Sequence, residues 1–217
     1  MQEYNLNEND VYVGEIRVED KINDTLEHLA ESGKFFWRLA QSRKGTSYEK
    51  CYAEYKEGEI TTSDNGLSFV SEDDIAECYM YGDILVELDF DMNNDKFRKI
   101  SNSNYVKTGG SFSEYRATNL LVKKIYSLEK LETIRLLFEK ASTLLQIQGL
   151  ISGYNILKGE ANFESRLRKM RFYESANLIR GIRNKYDNRY QEYLGHFKDF
   201  RKEILDFIDN EIKKKNI

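Results

Sequence analysis

The stretch Gly66–Asp91, GLSFVSEDDIAECYMYGDILVELDFD, concentrates residue types that can line a small-molecule site. Ser68 and Ser71 lie within and just after a short apolar strand pattern, Leu67–Val70, and their hydroxyls can both donate and accept hydrogen bonds. Tyr79 follows in a helix-turn pattern with Ala76, and its ring offers a flat stacking surface with a polar handle. Strand, helix turn and strand within so few residues could present a serine and a tyrosine at the floor of a cleft. The plainer reading runs beside it. Ser71, followed by Glu72, Asp73 and Asp74, fits a helix N-cap with acids in the first turn, and a tyrosine in a helix turn is often a packing residue.

These residues need elements to hold them. Ile84, Val86, Leu88 and Phe90 alternate with Leu85, Glu87, Asp89 and Asp91, the period of a half-buried strand. Upstream, Val11–Val13 reads as a short strand closed by Gly14. Glu19–Leu39 reads as a helix with Ile22, Leu26, Leu29 and Phe36 on one face. Residues 93–110 read as a polar loop, and Asn119–Tyr126 as a further strand. After Leu128 the pattern turns helical, with a stripe of Leu131, Ile134, Phe138, Ala141 and Leu145 interrupted by Gly149 and Gly153. A second stripe comprises Ile179, Ile182, Tyr186, Tyr190, Tyr193, Phe197, Phe200, Ile204 and Phe207. Its near-heptad spacing suits core packing or a homodimer seam through the C-terminal helix, and Gly181 and Gly195 are places where it could bend or break.

Composition narrows the setting. The chain has 217 residues, enough to bury a core as one large domain or two small ones. Charged residues are abundant at 32%, but 13% aromatics argue against disorder, and the absence of proline permits long helices. Cys51, Cys78, His28 and His196 are too few and too scattered to suggest a zinc site. No signal-peptide pattern and no apolar run of about 20 residues is visible, so a cytoplasmic protein without membrane association is expected. From Glu54 to Asp95 thirteen acidic residues face one basic residue; from Arg166 to Arg189 eight basic residues face two acidic ones. The acidic block disfavours nucleic acid as a partner and favours protein. The basic block, interleaved with Phe172, Tyr173 and Tyr186, has a composition suited to phosphate and base contacts, and equally to a solvated helix face.

Three blocks together resemble the ADP-ribosyltransferases of the histidine-tyrosine-glutamate class. Val11-Tyr12-Val13-Gly14 looks like the first strand of that class, with Val13 where the histidine normally stands and Arg17 four residues on as a substitute cation. Gly66, Phe69, Ala76 and Tyr79 match the second block, spacing included, and the strand Ile84–Phe90 follows it. Glu114 in GGSFSEYRA is the candidate for the glutamate of the third block; Phe112 stands where the paired Glu or Gln of the arginine-modifying toxins would be. The resemblance spans about Val11 to Phe138. It implies an α+β fold, with an ADP-ribosyltransferase-like small β core and helices over 1–130 followed by a helical region over 131–217. It also implies NAD as a substrate and mono-ADP-ribosyl transfer to a macromolecular target. Glu114 would stabilise the ribosyl cation, and Tyr79, Ser68, Ser71, Tyr12 and Arg17 would line the dinucleotide site. The alternative from another class is a non-catalytic inhibitor, a degenerate transferase fold that sequesters a protein partner through its acidic face or helical arm.

Overall fold

The computed structural model describes residues 12–18, 36–40, 55–78, 82–89, 100–107, 110–153 and 162–215. The chain is α+β and divides into two compact units. One comprises Met1–Arg38, Lys44–Glu72 and Glu87–Lys124; the other comprises Leu39–Arg43, Asp73–Val86 and Ile125–Ile217.

The described strands are β1 (Tyr12–Val18), β2 (Phe36–Ala40), β3 (Ile60–Ser71), β4 (Ile84–Asp89), β5 (Ile100–Lys107) and β6 (Gly110–Ser127). Their order in the sheet is β1-β5-β6-β3-β2-β4, with a further pairing of β6 to β4. The β1–β5, β5–β6, β6–β3 and β3–β2 ladders are all antiparallel. β5 and β6 form a hairpin in register from Ile100↔Ala117 to Lys107↔Gly110. The expected polar loop over 93–110 is therefore a strand from Ile100 to Lys107. Its Ser and Asn residues carry little apolar signal, and the pairing with β6 holds it extended. Nor does Gly14 end β1: the strand runs through it, with a register shift between Tyr12 and Glu15. Glycine suits such a bulge. The helix expected over Glu19–Leu39 gives way at its end to β2, where Phe36 and Trp37 pair with Ser71 and Val70; residues 19–35 lie outside the described part.

β4 departs from simple alternation. Val86 and Leu88 are buried and Asp89 is exposed, but Leu85 is buried as well, so the strand starts with both faces covered. β3 is similar over its last residues, with Leu67, Phe69, Val70 and Ser71 all buried.

The second unit is built on five described helices: α1 (Leu131–Lys140), α2 (Leu144–Ser152), α3 (Phe163–Lys169), α4 (Tyr173–Tyr186) and α5 (Phe197–Lys215). The first stripe breaks earlier than its glycines suggest. α1 stops at Ala141, and Thr143 restarts the chain as the N-cap of α2, its hydroxyl accepting from the Gln146 N–H at 3.1 Å. Gly149 is buried inside α2, and Gly153, at φ 81°, ends it.

The second stripe likewise folds into separate segments rather than one long helix. Ile179, Ile182 and Tyr186 on α4, Tyr193 in a 3-10 turn and Phe200, Ile204 and Ile208 on α5 are buried. Tyr186 meets Phe200 and Phe207 edge-on at 5.9 and 6.1 Å between ring centres. Gly181 does not break α4; a Cβ there would lie 3.3 Å from the Phe207 ring, so the missing side chain makes room for that ring. Gly195, at φ 85°, is the residue that turns the chain into α5.

Candidate functional site

A pleated sheet groups residues by register: positions opposite one another form a row across the strands, and every second row belongs to the same face. One row crosses five strands, running Arg17 (β1), Ser103 (β5), Glu114 (β6), Val70 (β3) and Trp37 (β2). The next row on that face is Ser101, Arg116 and Ser68. In the other direction lie Glu15, Tyr105 and Phe112, then Tyr12, Lys107 and Gly110. The β1 register shift matters here. Without it Tyr12 and Arg17, five positions apart, would fall on opposite faces; the extra residue brings both to one face.

Register thus gathers Tyr12, Arg17, Ser68 and Glu114 on a common face of the ladder. With strands about 4.8 Å apart, positions 17 and 114 are separated by roughly 10 Å, and Ser68 is a diagonal neighbour of Glu114 at about 7–8 Å. Val70, in the row of Glu114, is 3% exposed.

Ser71 is not brought to that face. It is the last residue of β3, buried, opposite Phe36, and an odd number of positions from Ser68. Nor does it cap a helix: a turn over Glu72–Asp74 intervenes, and the 3-10 turn begins at Ile75. That turn is held instead from the other side. The Asp73 carbonyl accepts from the Ser142 hydroxyl at 3.0 Å and from the Gln146 amide at 2.8 Å, which ties the acidic segment to the start of α2. Ala76 is fully buried in the 3-10 turn, and Tyr79 lies outside the described residues.

Ser101, Ser103 and Arg116 share the face with the expected site residues but escaped the sequence reading. Gly109-Gly110 was a usable signal, since paired glycines between two extended runs favour a hairpin, and a hairpin there makes β5 a strand. Arg116, two residues after Glu114, then follows from alternation alone.

Arg168, Arg183 and Arg189 of the basic segment are paired with the chain's own acids. Glu164 receives Arg168 at 2.9 Å and Arg183 at 2.5 Å, and Arg189 reaches Glu192 at 3.1 Å and Glu203 at 3.4 Å. Lys169 and Arg171 are exposed. The apolar stripe of α5 buries Phe200, Ile204 and Ile208. No described helix is long and apolar enough to cross a membrane.

No family model, curated protein or solved structure matches this chain.

Proposed function

We propose that the chain is a mono-ADP-ribosyltransferase that moves ADP-ribose from NAD to a macromolecular target, a protein more readily than a nucleic acid. The observation that carries this reading is the common face of Tyr12, Arg17, Ser68 and Glu114, residues from three blocks far apart in sequence. The second and third blocks lie on the adjacent strands β3 and β6, and the first block, on β1, shares their face across β5. In the reaction the bond between nicotinamide and C1 of the ribose breaks, and nicotinamide leaves with the electron pair. The ribose ring then carries oxocarbenium-like positive charge. Glu114 supplies a fixed negative charge to that ring without being consumed. The acceptor attacks C1 from the opposite face and gives up its proton. Ser68 is assigned to the nicotinamide end; Tyr79, which the resemblance implies there, lies outside the described residues.

The test is transfer of label from NAD to protein in a cell lysate, with wild type and Glu114→Gln. Preorganised electrostatic stabilisation of this kind is worth about 3–4 kcal/mol, so the variant should lose a hundredfold or more in rate with NAD affinity nearly intact. Equal labelling by the two proteins would remove Glu114 from the chemistry. A stoichiometric protein complex that forms without NAD, persists in Glu114→Gln and accompanies no labelling would favour a sequestering inhibitor.

A further inference from the structure

We propose that the exposed side of α4, together with the turn that leads into it from α3, binds single-stranded nucleic acid. This contact stands apart from the transferase reading and uses other residues. The acidic block that disfavours nucleic acid lies at 54–95, outside this segment. Of the two acids between Arg166 and Arg189, Glu174 pairs with Lys215 at 2.9 Å and Asp187 accepts from the Ser152 hydroxyl. Lys169, Arg171 and Arg180 are exposed, and among the described residues no acid pairs with them. Arg171 also sits at φ 66°, the one positive φ among the described non-glycine residues. Its N–H donates to the Arg168 carbonyl and that of Phe172 to the Leu167 carbonyl, both at 2.9 Å, the paired bonds that close a helix on a left-handed residue. Glycine ordinarily takes that position, because a side chain there strains the backbone. An arginine gives this turn nothing that glycine would not give better; what it adds is a charge held out into solvent.

Tyr173, Asn177 and Arg180 follow one another at spacings of four and three on α4, so they share a face, and all are exposed, Tyr173 by 56%. The face spans about 10 Å along the helix, with Lys169 and Arg171 at one end and Arg180 at the other. The Asn177 side-chain oxygen accepts from Arg168 at 3.0 Å and from Arg180 at 3.3 Å, which holds two guanidiniums side by side. Their planar forks of donors match phosphate oxygens. The ion pair of Glu174 with Lys215 also sets the lysine-rich end of α5 beside the start of α4. Cations that track a phosphate backbone, with an aromatic ring on which a base can stack, are what a single strand needs. A duplex keeps its base faces stacked inside and has no use for the ring. A membrane surface would call for a broad apolar helix face, whereas Tyr173 is followed here by Asn177, Arg180 and Asn184.

The experiment follows fluorescence anisotropy of labelled oligothymidylate and oligouridylate of about 20 nucleotides, longer than the sites such surfaces occupy, with the full chain across a salt series. Binding of either supports the proposal, and the tighter of the two identifies the sugar the face takes. Log affinity should fall linearly with log salt, and Arg171→Gly and Arg180→Gln should each flatten that slope by about 0.7. Tyr173→Ala should weaken binding about fivefold or more. Arg171→Gly relieves the strained backbone and should melt no lower than wild type, so its lost affinity is not lost folding. Binding of neither oligonucleotide, or a slope unchanged in both Arg171→Gly and Arg180→Gln, overturns the proposal. An affinity unchanged in Tyr173→Ala, or a matching duplex bound as tightly as the single strand, overturns the single-strand assignment. Displacement by poly-glutamate as effective as by unlabelled oligothymidylate would give the face to an acidic protein instead. Binding to phosphatidylserine vesicles without binding to oligonucleotide would give it to a membrane surface.

Discussion

Replacing Glu164 by glutamine tests how the helical unit is held together. Glu164 lies in the first turn of α3, is only 7% exposed and accepts from two arginines, Arg168 one turn on and Arg183 on α4. A hydrogen bond to a charged group contributes about 1.5–3 kcal/mol when the group is buried. Here the two side chains are 35% and 27% exposed, so solvent screens part of that. Glutamine keeps the shape and one acceptor oxygen but leaves both guanidiniums without a counter-charge. The expected loss is about 2 kcal/mol, on the order of 5–10 °C in the midpoint of a unit this size. Far-ultraviolet circular dichroism follows it directly, because all described α-helices belong to this unit. A double-mutant cycle then apportions the loss. The inter-helix pair, Glu164 with Arg183, should couple by about 1–2 kcal/mol, whereas the pair within α3, Glu164 with Arg168, should couple by about 0.3–0.5 kcal/mol. A drop below about 0.5 kcal/mol for Glu164→Gln, or strict additivity with Arg183→Gln, would refute the view that this carboxylate locks α3 to α4.

Two further outcomes follow from the same unit. Gly195→Ala should destabilise by about 1–2 kcal/mol through backbone strain alone, since φ is 85° and a Cβ there meets nothing within 4 Å; a midpoint unchanged in thermal unfolding would contradict that conformation. The Tyr193 hydroxyl donates to the Glu203 carboxylate, and this bond, with burial and the carboxylate's charge, holds the phenol above the usual tyrosine range. A raised folded pKa means a contribution present below about pH 10 and lost as pH rises through the folded value. Tyr193→Phe should therefore lower stability at neutral pH and lessen its alkaline decline; an identical alkaline slope in denaturant titrations would show that the phenol is not the titrating group.

The helical half was legible because its signal is local. The stripes Leu131–Ala141 and Ile179–Phe207 report burial at helical spacing, and Ile134, Phe138, Ile179, Ile182, Phe200 and Ile204 are indeed fully buried. What the stripes could not convey was the folding back of the second one. Heptad-like spacing continues across a 3-10 turn at Tyr190–Tyr193 because the residues on either side pack into the same core, not because one helix carries them. Gly181 shows the same limit. Its meaning depends on Phe207, more than twenty positions away, so no local rule could distinguish a helix breaker from a packing notch.

The sheet was legible only in part, and the reason bears on the site. β4 and the end of β6 announce themselves through apolar residues, whereas β5 is extended because β1 and β6 pair with it on both sides. A strand made by its neighbours leaves little periodicity of its own. Residue type at Glu114 and Ser68 was readable, yet their co-facial placement is a property of register, which a one-residue slip would reverse. Ser71 and Ser68 illustrate this: similar in type and close in sequence, they part company because three positions separate them on β3. Conversely, positions 12 and 17 share a face only through the extra residue at Val13-Gly14. If the face is a site, that bulge is as much a functional element as any side chain on it. A change that removed it would send Tyr12 to the other face while leaving every candidate residue in place.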